Sequence, residues 1–541
     1  MCRLCDEGKP QDHTGSQLGR RDFLKASTAT AAAAAGMSLF AARPAGAHDD
    51  DEAPEDSGRR GRRYVIRGGH VTSMDPAVGD FVQADVLVEG KKILAVGLNL
   101  PAGGAGEIDA RGKIVMPGFI DTHHHQFETA LRSFLANGLL INDGSRSNDG
   151  SPTPSANPTY FEYILLKFAP VYRPQDVYIS ELFGGLAQLD DGVTTVHDVS
   201  QIHHSPQHSD AAIKALFDTG RRAAFGFFES AGANILGTNP GNKYPTDAPR
   251  IKKQWFSSSD QLVHMIMGGE VYLADATTDQ SWTIGRQLDL QIAAHILSPF
   301  GIRPIFDKLA AGIGGNGHIG IGPDNLFIHM TGMADAAWQK VKDVGAQVSV
   351  AFPIEMNMRH GIPPIIKMQS LGMEPSLSSD VEVTMTADFF TQMRVCMNMQ
   401  RMVVNQMVLE QGDFYPPNQY PTPAAGTPAL LTTRDVLRFA TINGAKHLRL
   451  DKKTGSLTPG KEADIIILDA TAINVAPLNN VPGAVVSLMD RTNVETVIVA
   501  GKVRKWKGKL LDVDLNHLRR QLEDSRDHIF AAAGVPQNLY R

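Results

Sequence analysis

The run Pro117-Gly118-Phe119-Ile120-Asp121-Thr122-His123-His124-His125 carries the strongest chemical signal in the chain. Alternate side chains of a strand share a face, so His123 and His125 point together while His124 points away. Two imidazoles at this spacing grip one divalent ion at about 2.0–2.2 Å, and the strand fixes their separation. Three more candidates each close a strand-like run: His295 after Ile292-Ala293-Ala294, His329 after Leu326-Phe327-Ile328, and Asp380 after Ser376-Leu377-Ser378-Ser379. A lone histidine ending an apolar strand is usually a hydrogen-bonded structural residue. Several such residues in chain order behind an H-x-H argue for a metal site. Three neutral imidazoles and one carboxylate around a divalent ion leave an open position. An ion so held pulls a bound water's pKa from about 15.7 toward about 7, which is the chemistry of hydrolysis. Asp380 could then take a proton while His329 polarises the substrate.

These residues need an element that brings distant strand ends together. Short apolar strands alternate with helical stretches such as Asp210–Thr219, where Ile213, Leu216 and Phe217 mark one face and Gly220 stops the helix. That alternation predicts a (β/α)₈ TIM barrel, whose C-terminal strand ends converge on one mouth. The strands are expected near Gly118–His123, Thr194–Asp198, Ala223–Phe228, Val271–Ala274, Leu290–His295, Leu326–His329, Gln347–Phe352 and Pro375–Asp380. β-branched runs broken by Gly, Asp and Pro stand on both sides, at Tyr64–Val96 and again at Ala463–Lys502. A small β-sandwich domain built from both chain ends is the economical reading. The expected division is a β-sandwich first part over 63–115, the metal-dependent barrel over 116–440, a β-sandwich second part over 441–510 and a helical tail over 511–541. The methionines of the 393–407 stretch have helical spacing and read as core packing.

Composition narrows the class. The chain has 541 residues, 42% hydrophobic and 20% charged, with a net charge of −6. That balance argues against a nucleic-acid or anionic-membrane binder, which needs a basic face. Three cysteines cannot form a disulfide framework. Two of them, Cys2 and Cys5, fall in a leader over 1–47: Gly19-Arg20-Arg21-Asp22-Phe23-Leu24-Lys25, then an alanine-rich apolar run, then Ala45-Gly46-Ala47. A twin-arginine pair, a short h-region and an A-x-A site predict a Tat signal peptide. The expected partner is the Tat export machinery and the expected destination periplasmic or secreted. The mature chain would start near His48 with a charged linker over 48–62 and no membrane span. His197, Asp198, His203, His204 and His208 read as substrate contacts or helix-start hydrogen bonds before a second metal site. His318 lies in a Gly-rich loop without a phosphate-binding pattern.

The chain resembles the amidohydrolase superfamily, in its cytosine-deaminase, chlorohydrolase and S-adenosylhomocysteine-deaminase branch. The likeness runs from Tyr64 to about Leu510. Beyond the H-x-H motif it rests on Gly192–Val196, Asp218–Arg222, Phe352–Asn357 with Gly361, and Thr454-Gly455-Ser456-Leu457-Thr458-Pro459-Gly460-Lys461-Glu462-Ala463-Asp464. The resemblance implies one divalent metal held by His123, His125, His295 and Asp380, with His329 beside the attacking water. Asp380 and His329 are thus the expected catalytic pair. Zinc is the default ion, and iron or manganese suits the same donors. No strand-four lysine stands out to bridge a second ion. Phe127, Glu128 and Arg132, in the first barrel loop, and Glu355 are the candidate substrate contacts. Relatives of this architecture are often homo-oligomers.

One position departs from the pattern. Deaminases of this branch carry H-x-x-E after the fifth strand, and here the fourth residue is Ser298. A serine cannot shuttle a proton at neutral pH, so Glu128, Glu355 or Glu382 must substitute or the reaction needs no such acid. The expected function is metal-dependent hydrolysis of a C–N (amide, amidine or amino-heterocycle) or C–halogen carbon in a small molecule. The rivals are an exported non-catalytic binding protein on the same scaffold and a cyclic amide or lactone ring-opening hydrolase.

Overall fold

The computed structural model describes residues 52–54, 56–141, 159–230, 241–312, 320–412 and 419–539. The twin-arginine leader, the Cys2–Cys5 pair and His318 lie outside the described residues. Five strands open the fold: β1 (Arg63–Thr72), β2 (Asp80–Glu89), β3 (Lys92–Gly97), β4 (Gly106–Asp109) and β5 (Lys113–Pro117). Eight parallel strands follow: β6 (Phe119–His124), β7 (Val193–Ser200), β8 (Arg222–Phe227), β9 (Val263–Gly268), β10 (Ile292–Leu297), β11 (Asn325–Thr331), β12 (Gln347–Val350) and β13 (Ser376–Leu377). The chain then returns to the first sheet with β14 (Ile465–Asp469), β15 (Val494–Val499), β16 (Lys502–Trp506) and β17 (Lys509–Leu510). The junction is β14, which pairs antiparallel with β5 (Ile466 opposite Met116).

The eight parallel strands pair in strict sequence order with helices between them, for example Pro174–Asp190, Pro206–Thr219 and Asp335–Val344. A sheet whose strands follow one another in this way closes as a (β/α)₈ barrel, and the closing bridge runs between His124 and Asp380. Period-2 alternation sorts the side chains. Ile120, Ala224, Ile266, Ala293 and Leu326 fill the barrel interior, while Val196, Phe225, Met267 and Phe327 join the core under the helices. Ala445, Leu448 and Leu450 seat against the interior layer, so barrel packing extends past residue 440. Gly118 allows the strand to enter, because a Cβ there would lie 2.2 Å from Thr194 Cγ2.

The domain made from both chain ends is one connected nine-stranded sheet. Ile465, Ile467, Val115 and Ile498 build its own core, and the alternate Ile466, Leu468, Met116 and Val497 join the barrel's core. The closing motif at Glu462–Asp464 fastens the two. Arg222, at the start of β8, donates to Asp464 from Nε at 2.8 Å and to Glu462 at 2.7 Å, with all three side chains buried. The tail forms the helix Leu515–Ala532, whose Ile529 and Phe530 are buried, Phe530 lying edge-on to Phe134 and tilted against Phe168. Met393 and Met399 are buried on the helix Phe389–Leu409. No described helix is long and apolar enough to cross a membrane.

One expected strand is misplaced. The fourth barrel strand is Val263–Gly268, and Val271–Ala274 is the turn that follows it. Val263-His264-Met265-Ile266-Met267-Gly268 dilutes its Val and Ile with His and Met, whereas Val271-Tyr272-Leu273 sets two strong strand formers side by side. The error matters because it put Glu270 at the wrong end of the barrel.

Removing one partner from a buried ion network leaves an uncompensated charge. Arg222→Ala should therefore lower unfolding stability by about 3–5 kcal/mol. Denaturant unfolding followed by circular dichroism checks this, and a midpoint equal to wild type would show that the network does not clamp the two sheets.

Candidate metal centre

The motif builds its site through the barrel's closing seam. Asp121 is buried, and its Oδ1 accepts from the backbone N–H of both His123 and Ser379, each at 3.2 Å. Its Oδ2 accepts from Gln188 Nε2 at 2.7 Å and from the Ser379 hydroxyl. Thr122 Oγ1 meets Ser349 Oγ at 2.7 Å and Ser376 Oγ at 2.8 Å, joining β6 to the last two strands. The Asp380 N–H donates to His123 O at 3.0 Å, and His125 N–H donates to Asp380 O at 2.8 Å. To make both bonds Asp380 adopts φ +62°, and His329 stands at φ +72°. Left-handed backbone at non-glycine residues costs on the order of 1–3 kcal/mol and persists only where the surroundings enforce it. His124 points out of the centre, its Nδ1 2.9 Å from Asp380 O.

This seam places the carboxylate of Asp380 among imidazoles. Oδ1 lies 3.0 Å from His123 Nε2 and 3.6 Å from His125 Nε2, while Oδ2 lies 3.6 Å from His329 Nε2. The His295 ring sits 4.8 Å from that of His123 and 5.3 Å from that of His125. Donor atoms of His123, His125 and Asp380, and of His123, His295 and His329, approach within 4.8 Å of one another.

The chemistry of these donors fits a divalent cation. His125 Nδ1 faces Val199 O at 2.9 Å, and His295 Nδ1 faces Glu270 Oε1 at 2.5 Å. An oxygen acceptor requires Nδ1 to carry a proton, so each ring turns Nε2 inward as the donor atom left for a metal. Burial drives His123 well below the usual imidazole range and His125 down to about 3, which keeps both neutral. Burial alone would raise Asp380, but the rings of His123 and His329 hold it well below the usual carboxylate range. Neutral imidazoles with one carboxylate form a metal-binding set. His123, His125, His295 and Asp380 are the residues that would hold the ion. His329 differs from them: Glu355 Oε1 accepts from its Nδ1 at 3.0 Å, leaving Nε2 toward Asp380 and the cavity.

A cavity of about 440 Å³ opens over this group. His125, His295, His329 and Asp380 form its floor, and Leu140, Phe161, Leu165, Phe300, Met358 and Val381 give it apolar walls. The four residues expected to touch substrate are not among its lining residues. Phe127 is buried in the core, edge-on to Tyr172. Glu128 accepts a hydrogen bond from Tyr160, and it is Tyr160 that reaches the wall. Arg132 is tied to Glu382 at 2.7 Å, which occupies both. Glu355 is spent on His329 and on the Ala351 N–H, 3.0 Å away. Of the three carboxylates proposed to replace the one missing at Ser298, each is thus already engaged elsewhere. His203, His204 and His208 are hydrogen-bonded to Ser209, Ala169 O and Tyr172 O. They join no metal-binding group among the described residues.

Several residues at the centre escaped the sequence. Glu270, one residue beyond Gly269, orients His295 through both its ring and its N–H (2.9 Å), and only the misplaced fourth strand concealed it. His360 lies 4.8 Å from the His329 ring with no hydrogen-bond partner at either nitrogen. It sits beside Gly361 in an irregular segment where no periodicity marks it. Gln201, Tyr160 and Tyr272 reach the cavity from loops, which sequence pattern does not fold.

Comparison with known proteins agrees with this architecture. Residues 114–504 match the amidohydrolase family. The chain is 24% identical to a 5'-deoxyadenosine deaminase of Methanosarcina acetivorans over 482 residues, covering 87% of this chain and 99% of that protein. It is 23% identical to a 5-methylthioadenosine/S-adenosylhomocysteine deaminase of Acetivibrio thermocellus, covering 75% and 84%. Among solved structures it resembles a zinc-bound adenosine deaminase from Xanthomonas campestris (TM-score 0.67, 19% identity, 87% and 99% covered). It also resembles a zinc complex of atrazine chlorohydrolase from Arthrobacter aurescens (TM-score 0.67, 19% identity, 86% and 100% covered). At that identity the solved structures establish the fold. The chain belongs to the amidohydrolase family: it is a metal-dependent hydrolase acting on non-peptide carbon–nitrogen bonds.

Partners that orient a ligand imidazole are worth about 10–100-fold in metal affinity. Glu270→Gln should weaken metal binding by that factor in chelator competition, and an unchanged affinity would show that Glu270 does not orient His295.

Proposed function

We propose that this chain is a zinc-dependent aminohydrolase that releases ammonia from an amino-substituted aromatic heterocycle. The observation that carries the reading is the apolar, aromatic-walled cavity standing directly on the His123/His125/His295/Asp380 donor set. A flat heterocycle buries its faces on Phe161, Leu165 and Phe300 and directs one ring carbon to the floor. The deaminase names of the curated relatives support attack on carbon bearing an amino group.

A zinc ion in this set, when bound, makes water a nucleophile at neutral pH and polarises the substrate. The remaining work belongs to the chain. Oδ2 of Asp380 faces the cavity side and takes the proton of the attacking water. His329, its Nδ1–H held by Glu355, keeps Nε2 aimed at the same point and stabilises charge that develops on the ring. Glu355 is fully buried, and burial raises its carboxyl, while the hydrogen bond from His329 pulls the other way. The apolar walls exclude bulk water from around a bound substrate and strengthen these polar contacts.

We further propose that the protein is exported through the twin-arginine route and works outside the cytoplasm. The support is Arg20-Arg21 ahead of the alanine-rich run and Ala45-Gly46-Ala47.

Two experiments test these proposals. The zinc-loaded protein, offered amino-substituted purines and s-triazines, should release ammonia, and Asp380→Asn should cut the rate by at least about 10³-fold with the fold and thermal unfolding retained. Turnover that survives complete metal removal would falsify the zinc-dependent reading. For export, replacing Arg20 and Arg21 by lysine should retain the full-length precursor in the cytoplasm, whereas wild type should yield a mature chain starting near His48 by N-terminal sequencing.

A further inference from the structure

Apart from the floor residues that would hold the metal, the described cavity wall carries four titratable side chains, Tyr160, Tyr272, His329 and His360. His329 holds its Nδ1 proton in the bond to Glu355, and its Nε2 faces Asp380 Oδ2 at 3.6 Å. His360 is held neutral by burial, its pKa about 3. The two tyrosines share a construction: each donates its hydroxyl to a buried glutamate behind the wall. Tyr160 donates to Glu128 Oε1 at 2.5 Å, and Tyr272 donates to Glu229 Oε1.

The two pairs differ in what stands behind them. Glu128 has only Tyr160 as a hydrogen-bond partner, and burial pushes its carboxyl well above the usual range against that bond. Glu229 follows β8, and its Oε1 also accepts from Gln201 Nε2 at 2.8 Å, while that amide lies 3.2 Å from the Tyr272 hydroxyl. Its Oε2 is buried without a partner. Burial first, and then the negative charge of Glu270, push the Glu229 carboxyl up to about 7. The other titratable groups that bear on it are His295, Tyr272, Tyr244 and Tyr160. A group poised near the working pH can give a proton and take one back.

We propose that Tyr272 is the catalytic proton donor to the leaving nitrogen and that Glu229, acting through it, is the positioning residue that refills it. The pair would supply from the ends of the third and fourth strands what Ser298 cannot supply from the fifth. This inference rests on the aminohydrolase reading. As the oxygen of water bonds to carbon, one water proton passes to Asp380. The C–N bond breaks with its electron pair on nitrogen, and nitrogen takes the Tyr272 proton. The Tyr272 proton swings from Glu229 Oε1 to the nitrogen, and protonated Glu229 then donates to the phenolate oxygen, so that their hydrogen bond reverses direction. Asp380 then loses its proton to solvent and Glu229 regains one, so amine plus water gives hydroxylated ring plus ammonia.

A chloride leaves as an anion and needs no proton, which supplies the test. The metal-loaded enzyme is assayed on matched pairs, 5'-deoxyadenosine against its 6-chloropurine counterpart and an amino- against a chloro-substituted s-triazine. Tyr272→Phe should lower amine hydrolysis by about 10²–10⁴-fold, the usual worth of general acid catalysis, and leave chloride release within a few-fold of wild type. Glu229→Gln should flatten the fall in amine hydrolysis that wild type shows as pH rises past about 7, with KM and metal content unchanged. Equal losses on both leaving groups, or none on the amine, would overturn the proposal. If wild type releases neither ammonia nor chloride, the aminohydrolase reading fails, and infrared titration still judges the pair. A protonated-carboxyl band that titrates near neutrality and vanishes in Glu229→Gln supports the proton reserve, and its absence overturns it.

Discussion

Everything chemical in this protein hangs on one pair of backbone hydrogen bonds. The peptide of Asp380 inserts between His123 and His125, giving its N–H to one and accepting from the other. These bonds close an eight-stranded barrel that otherwise has a free edge, and they bring in the single carboxylate of the donor set. Because the same residue does both, the metal geometry cannot drift without opening the barrel. The left-handed φ of Asp380 is the strain this arrangement stores, and Asp121 and Thr122 hold it in place from beneath. The Asp-Thr that precedes the histidines is therefore a fastener, spelled next to the ligands because it works on the same strand.

Closing a barrel around imidazoles and a carboxylate sets an electrostatic problem that the next layer resolves. Burial opposes the charge on Asp380, and its close contacts with the His123 and His329 rings outweigh that cost. Burial likewise strips the proton from His123 and His125, which suits ligands. His295 and His329 are each backed by a glutamate that accepts from Nδ1, fixing tautomer and ring plane together. The carboxylates nearest the site thus divide into two kinds. Glu270 and Glu355 orient rings, whereas Glu128 and Glu229 stand behind tyrosines that face the cavity.

The chain spells some of this and hides the rest. The H-x-H motif, the strand-ending His295, His329 and Asp380, and the two-ended β domain were all legible, because each depends on period-2 patterning or on a short motif with one geometric meaning. The fourth strand was not. Its methionines lack β character, while the adjoining Val271-Tyr272-Leu273 imitates a strand. Every error about the wall follows from a similar cause. Phe127 and Glu128 follow the ligands in sequence, but the 3₁₀ turn Gln126–Leu131 turns all of its side chains into the core, and Arg132 just after it is tied to Glu382. The residues that do line the cavity, Gln201, Tyr272 and His360, come from loops whose paths are set by tertiary contacts.

The displaced glutamate shows what a barrel permits. All eight strands end at the same mouth, so a side chain two residues beyond β8 or four beyond β9 can reach the space that a residue beyond β10 would fill. Ser298 lies in the 3₁₀ turn Ser298–Phe300, and its neighbour Phe300 stands about a ring's width from Tyr272, at 6.2 Å between centroids. An acid lost at one strand end leaves the metal ligands untouched, because those are fixed by the seam and not by the loops. The proton-handling role can therefore pass to another loop while the floor of the site stays the same. Metal binding in this fold is a property of the closure, and leaving-group chemistry is a property of whichever loops cover it.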